Sequence, residues 1–291
     1  YSVGWATVRK MPEKRAYALF RRLADQTWRR HGPSVKQYEK NLTRVLPDAS
    51  PAEIRDVSRA GLQSYAHYWC DAFRMPDWPR SRILDFQVDG LEHIDAALAD
   101  GGKLVFAGPH GGNYDHGAAF IAQKYGSLTT VAERLKPERL FRRFVAFRQE
   151  LGMEVLGTGQ GDLVATLVDR AEAGSIIGLV GDRDLSRHGV PVTFFGEPTR
   201  MPAGPALVAR RTGATLLAVN FIYRDGQLAA TVFDPLTVPT TGTEEHDVAT
   251  MTQALAARFE IGISEHPSDW HMLQPLWRAD LDPRRLARAE S

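Results

Sequence analysis

The chain carries a single cysteine, Cys70, among 291 residues, so an internal disulfide framework and a cysteine-rich metal knuckle are both excluded. That usage fits a reducing compartment. Cys70 lies within the apolar, aromatic run SYAHYWCDAF and reads as a small buried hydrophobe. No apolar run reaches the roughly 18–20 residues that a membrane span needs, and no secretory signal pattern is visible. The first residue is Tyr1 and not Met, so a natural N-terminus further upstream is expected, with or without a targeting segment. Net charge is nearly absent: 36 Lys and Arg against 35 Asp and Glu leave +1, without the bulk positive charge of a general nucleic-acid binder. No nucleic acid is expected as a partner. Neither a G-x-S-x-G elbow nor a phosphate-loop spacing occurs, and Gly157-Thr158-Gly159-Gln160-Gly161 reads as a flexible turn.

What is present is ordinary in amount and uneven in place. With 43% hydrophobic and 24% charged residues the chain can bury a sizeable core. Residues 1–46 hold eleven Lys and Arg against three acids, an excess of eight, so the remainder is about seven negative. A basic first segment points to an anionic partner: a lipid surface, a phosphorylated ligand or nucleic acid. Trp5, Tyr17, Phe20 and Trp28 lie in this segment at roughly helical spacing and are expected to enter a membrane interface.

Breakers divide the chain into a helical quarter and an alternating remainder. A helix broken early by Pro12 is expected to Arg30, a short basic helix to about Arg44, and a third helix from Pro51 through Phe73, with Ser50 as its N-cap. After Pro76 and Pro79 short apolar runs alternate with helical stretches. Strands are expected at 103–108, 128–132, 153–156, 175–180, 215–223 and 228–233, and helices at about 114–125, 137–151, 162–173, 203–212 and 245–265. The rhythm specifies an α/β fold: a mostly parallel central sheet flanked by helices and ending in an antiparallel pair. No linker separates two units, so we read one domain over 1–291. A helical layer at 1–75 walls a groove, and an α/β core occupies 83–280.

The most informative stretch is FAGPHGGNYDH, residues 106–116. A strand ends in Gly108-Pro109, His110 follows, two glycines free the backbone, and Asn113 is placed to cap the next helix. Sites in α/β sheets gather at the carboxyl ends of strands, where His110 falls. On a continuous helix Asp115 would stand about 140° around from His110. The glycines instead let His110 fold back toward Asp115, whose carboxylate would fix the imidazole tautomer and leave the other nitrogen to take a proton. The alternative is that His110 ends the strand and Asp115 complements the helix dipole. A metal site is not expected, because the histidines that would complete one are Gly111 and Asn113; His116 reads as a packing residue. Charged groups also follow other strands: Glu133 and Arg134 before a helix carrying Arg142, Arg143 and Arg148; Asp182, Arg183 and Asp184; and the loop Phe194–Pro202, containing Arg200, which leads into a helix with Arg210 and Arg211. Each cluster suits either a structural ion pair or a ligand contact.

These residues resemble a family. HGGNYD is similar to the HX4D block of glycerolipid-type acyltransferases, and GDRDLSRHGVPVTFFGEPTRMPAGPALVARRTGA resembles blocks of the lipid A biosynthesis acyltransferase branch. Within that branch AERLKPERL, FFGEPTRMP and HPSDWHMLQPLW look most like the actinobacterial phosphatidylinositol mannoside acyltransferases, and the resemblance runs from about Trp5 to Asp280. It implies transfer of a long-chain acyl group from acyl-CoA, a substrate and not a cofactor, to a mannose hydroxyl of a mannosylated phosphoinositide. It also implies a peripheral protein on an anionic membrane surface, at the cytoplasmic face of the plasma membrane. The catalytic positions implied are His110 and Asp115, with Asp182 where close relatives often carry Glu. Arg148, His188, Arg200 and Arg211 are implied on the acyl-CoA side, and Glu133, Arg183 and Asp184 on the acceptor side. Backbone amides near the glycines are expected to receive the oxyanion. The rival readings are a thioesterase-like or metal-assisted hydrolase and a non-catalytic lipid-binding protein.

Overall fold

A computed structural model describes residues 7–134, 137–159, 161–184, 186, 188–240 and 242–281. It opens on helices. A helical turn at 7–10 stops before Pro12, and α1 (Glu13–Arg30) follows, ending on His31 in the left-handed region. α2 (Pro33–Val45) starts on a proline, and α3 (Pro51–Arg74) starts on a capping box. There Ser50 Oγ accepts the Glu53 amide while the Glu53 carboxylate takes the Ser50 N–H at 2.7 Å, an arrangement worth about 1 kcal/mol.

The aromatic stripe of α1 turns inward. Tyr17 donates its hydroxyl to Asp71 at 2.5 Å, Phe20 packs 5.9 Å from Phe73, and the Trp28 indole donates to Ser58 Oγ at 3.0 Å. These side chains are spent on α3 and are not available to a lipid interface, which corrects the sequence expectation; Trp5 lies outside the described residues. The spacing that makes a helix amphipathic is the same whether a lipid or another helix covers it. Leu19 and Leu23 at the margin of that stripe are 38% and 49% exposed, beside exposed Arg15 and Arg22. The basic excess is partly internal too, since Arg9 pairs with Asp77, and Lys40 and Arg44 pair with Asp280.

Beyond the short helix α4 (Arg80–Leu84) the chain builds a seven-stranded sheet. In chain order come β1 (Gln87–Asp89), α5 (Leu91–Leu98), β2 (Leu104–Gly108), α6 (Tyr114–Tyr125), β3 (Leu128–Ala132), α7 (Glu138–Glu150), β4 (Met153–Gly157), α8 (Leu163–Glu172) and β5 (Ile176–Val180). There follow β6 (Val190–Phe194), β7 (Glu197–Met201), α9 (Gly204–Thr212), β8 (Thr215–Arg224), β9 (Gln227–Val232) and α10 (Glu244–Glu265). The sheet order is β1-β9-β8-β2-β5-β3-β4, with every neighbouring pair parallel except β8 and β9. The expected architecture and its strands are therefore present. Two features went unread. β1 extends the edge beside β9, and the segment taken for a rigid loop at Phe194–Pro202 belongs to an antiparallel β6–β7 hairpin turning at Phe195-Gly196, both with positive φ. Prolines at 191 and 198 hid that hairpin, because proline inside a strand pattern argues for a loop unless the strand is an edge.

Alternation along the strands divides two cores. Val105 and Ala107 of β2 and Leu216 and Ala218 of β8 face α9 and α10, while Leu104, Phe106, Leu217 and Val219 face α5 and α6. β2 occupies the middle because its successors leave in both directions: β5 returns to pair on one side and β8 on the other. Their parallel direction brings the carboxyl ends of β2, β5 and β3 to one edge, where such folds hold their sites.

Candidate active site

Register places the two central groups. Gly108 is opposite Val180, and the Gly181 amide donates to the Gly108 carbonyl at 2.9 Å. Two residues past each strand end stand His110 and Asp182. His110 Nδ1 lies 2.6 Å from Asp182 Oδ1, and the His110 amide donates to Asp182 Oδ2 at 3.0 Å. Asp182 is fully buried, whereas 41% of the His110 side chain is accessible. An acceptor on Nδ1 sets the tautomer, so Nε2 bears the lone pair. Burial opposes the charge on Asp182, but the imidazole, the Trp270 indole and the His110 amide hold its pKa below the ordinary carboxylate value. For His110 burial likewise opposes the charge, and the Asp182 carboxylate outweighs it, so the imidazole pKa sits above its usual 6.5.

Asp115 is not the partner of His110. Its carboxylate is held by Arg148, with Nε to Oδ1 at 2.8 Å and Nη2 to Oδ2 at 3.4 Å, and it accepts the Tyr68 hydroxyl at 2.8 Å. The cause is the helix: Asp115 is in the first turn of α6, where it meets Arg148 of α7 and Tyr68 of α3. Burial works against the Arg148 charge, while Asp115, Tyr68 and Tyr114 around it keep the guanidinium protonated. An arginine so enclosed is withdrawn from the coenzyme A phosphates with which the sequence had associated it.

The glycine loop is pinned and not free. Gly112 adopts φ +50, and a Cβ there would meet the Phe221 carbonyl at 2.5 Å, so glycine is required twice over. The Gly111 amide donates to Pro109 and the Gly112 amide to Asp269, at 2.8 and 2.9 Å. With the His110 amide on Asp182, all three backbone donors expected to receive an oxyanion are already engaged. Asn113 caps α6 as read, its Oδ1 accepting the His116 amide at 2.9 Å, and its Nδ2 reaches Asp71. His116 is buried and directs Nε2 to the Ile83 carbonyl at 3.0 Å, a packing role; burial keeps it neutral. Cys70 is buried and unpaired, its thiol pushed up to about 12 by that burial.

The other sequence candidates fall into two groups. Arg183 donates to the Pro275 carbonyl at 3.2 Å, the Asp184 amide donates to Arg200, and Arg200 Nη1 reaches the Ser186 carbonyl. The His188 amide donates to Ser186 Oγ, so Asp184 and His188 share one turn beyond β5, held against Arg200 of β7. Glu133 is exposed just past β3, at the same edge. Arg211 is elsewhere: it pairs with Glu244 at the end of α9, close to Thr212, whose carbonyl accepts Lys103 at the opposite edge of the sheet. The five residues of β2 separate the two edges by about 16 Å at 3.3 Å per residue, so Arg211 stands well away from His110.

An apolar cavity adjoins His110. Pro109, Tyr114, Asp115 and Arg148 lie at its polar end, and Phe106, Ile121, Leu128, Val219 and Phe221 line it between the sheet and α6. Phe86 and Val88 belong to the same lining, which begins at Phe86 and includes no residue of α1, α2 or α3. This cavity therefore runs along the sheet face and not behind the N-terminal helices, where the sequence placed a groove. Sequence reading missed Tyr68, Trp270 and His271, the last with a pKa lowered to about 3 by burial first and the neighbouring His110 second. The aromatic tail HPSDWHMLQPLW was the one signal for two of them, and nothing local tied it to the site. Among the described residues no helix is long and apolar enough to cross a membrane.

The phosphatidylinositol mannoside acyltransferase of Mycobacterium tuberculosis (strain CDC 1551 / Oshkosh) is 44% identical over 297 residues, covering 100% of this chain and 92% of the relative. A protein of the same name from Mycolicibacterium smegmatis (strain ATCC 700084 / mc(2)155) is 44% identical over 292 residues, covering 99% and 93%. Residues 1–279 match the bacterial lipid A biosynthesis acyltransferase family, and the chain belongs to that family.

Proposed function

We propose that this protein transfers a long-chain fatty acyl group from acyl-CoA to a mannose hydroxyl of a mannosylated phosphoinositide. The observation that carries the reading is a histidine paired through Nδ1 with a buried aspartate, next in sequence to Pro109 in the wall of an apolar cavity, in a chain 44% identical to proteins of that named activity. A sugar hydroxyl is a poor nucleophile near neutral pH. His110 Nε2 takes its proton as the oxygen attacks the thioester carbonyl, and Asp182 stabilises the imidazolium. The C–O bond forms, the C–S bond breaks, and the proton passes from the imidazolium to the departing coenzyme A thiolate. The oxyanion is met by the positive end of the α6 dipole and by Arg148, whose charge reaches His110. Asp115 acts through Arg148, fixing the guanidinium beside the cavity. The acyl chain occupies the cavity, His188 and Arg200 lie on the donor side, and Glu133, Arg183 and Asp184 on the acceptor side. No metal or cofactor enters these steps.

The protein works as a peripheral enzyme at the cytoplasmic face of the plasma membrane, where Leu19 and Leu23 among the basic residues of α1 meet anionic lipid. The test is mass spectrometry of products from labelled palmitoyl-CoA offered a panel of mannosylated and unmannosylated lipids. A labelled mannoside supports the proposal. Free fatty acid with no acceptor requirement makes the protein a hydrolase, and vesicle binding without turnover makes it a lipid-binding protein.

A further inference from the structure

The proposed reaction depends on Asp182 keeping its charge and its orientation, and most of what it touches is His110 itself. Oδ1 faces the His110 ring and Oδ2 accepts the His110 amide. A third donor comes from elsewhere: the Trp270 indole N–H meets Oδ2 at 2.9 Å, across 88 residues of sequence. Among the described contacts it is the donor to this carboxylate that does not belong to the histidine. Trp270 is 1% exposed and packs against Phe194, Phe195 and Trp277, so its ring, and with it the direction of the N–H, is set by packing. The segment carrying it crosses the site as a strap. Trp270 bridges to Gly111, the His271 amide donates to the His110 carbonyl at 2.7 Å, and the Asp269 carbonyl accepts Gly112. The strap is anchored beyond the site, because the Leu276 carbonyl accepts Thr199 and the Trp277 indole donates to Phe194.

We infer that Trp270 is the positioning residue of the His110–Asp182 pair, acting through its indole N–H on Asp182 Oδ2. The inference rests on the proposed role of that pair. Without this donor a fully buried carboxylate keeps only the donors of the group it must orient, and nothing fixed prevents rotation about its side chain. The negative charge, shared by one donor fewer, then acts more strongly on the imidazolium. The charges that face His110 are Asp182, Arg183 and Arg148, with His271 neutral beside them; an exchange at Trp270 removes none of these side chains and reaches His110 through Asp182.

The test replaces Trp270 by β-(3-benzothienyl)alanine, which keeps the bicyclic shape and puts sulfur where the N–H was; Trp270→Phe is the second variant. His110 is titrated by NMR, and palmitoyl transfer from palmitoyl-CoA is measured against pH. The expected result is a His110 titration moved to higher pH and a kcat lowered about 10- to 100-fold, with KM for palmitoyl-CoA unchanged. An unchanged titration and kcat in the benzothienyl protein overturn the inference. So does a fall in kcat that tracks thermal stability with the titration unmoved, which assigns Trp270 to packing alone. Asp182→Asn is measured in parallel. If it keeps full turnover the pair itself has no catalytic role, a different failure from that of Trp270.

Discussion

His110 Nδ1 and Asp182 Oδ1 meet at 2.6 Å from the ends of adjacent parallel strands, so the sheet supplies the histidine with an acid 72 residues away. Asp115, five positions on from His110, is committed to Arg148. The two acids therefore fail differently when neutralised. Asp182→Asn leaves the geometry but presents the wrong hydrogen-bonding partner to Nδ1, and kcat should fall by about 10²–10⁴-fold as in related triads. The check is steady-state kinetics with circular dichroism confirming the fold.

Asp115→Asn leaves an enclosed guanidinium without its counter-charge, and the expected loss of stability is about 3 kcal/mol. Arg148→Met should cost a similar amount by stranding Asp115. The double variant should recover part of the sum, because removing both charges costs less than removing either. Urea unfolding of the three proteins measures the coupling, and strictly additive effects would show that the pair is not one unit.

The pH dependence has a definite sign. A base works unprotonated and the His110 pKa sits above 6.5, so turnover should climb with pH through that raised value and fall away in acid. The stability contributed by His110 runs the other way: it is complete below 6.5 and lost as pH rises through the folded value. Asp182, lowered in the folded state, contributes above its ordinary pKa and loses that contribution as pH falls through its folded value. The ion pair is thus fully formed only between the two folded pKa values. A rate profile rising toward acid would oppose the base assignment.

Ala118 lines the cavity from α6. Ala118→Phe should narrow it, lowering turnover of long-chain acyl-CoA more than of short-chain donors, at a packing cost of about 1–3 kcal/mol. Rates across a chain-length series read this out. A uniform fall at every length would place the acyl chain elsewhere.

Leu19 and Leu23 are the apolar groups that α1 leaves to solvent. Leu19→Glu with Leu23→Glu should weaken sedimentation with anionic vesicles, and binding of the unaltered protein should weaken as salt rises. Binding indifferent to both lipid charge and salt would return this face to a solvated role.

Much of the fold was legible because its signals are local. The Ser50-Pro51 start of α3, the bounds of α6 at Tyr114 and Tyr125, and β3 at Leu128–Ala132 follow from caps, breakers and apolar runs. The position of His110 past a strand end was legible for the same reason. Its partner was not, because Asp182 is brought to it by β5 inserting between β2 and β3, an order that periodicity does not encode. Equal offsets past two strand ends, two residues after Gly108 and after Val180, were the available hint. Tyr17, Phe20 and Trp28 were read as a lipid face because an amphipathic stripe does not name what covers it. Trp270 was out of reach, since its hydrogen bond spans 88 residues.

The central claim is that His110 removes the acceptor's proton during acyl transfer. Its most direct measurement is the rate at which His110→Gln moves labelled palmitate from palmitoyl-CoA to a mannosylated phosphoinositide, set against the unaltered protein at equal folded concentration. The account predicts a fall of at least about 100-fold with the product unchanged in identity. Transfer at the original rate would contradict it.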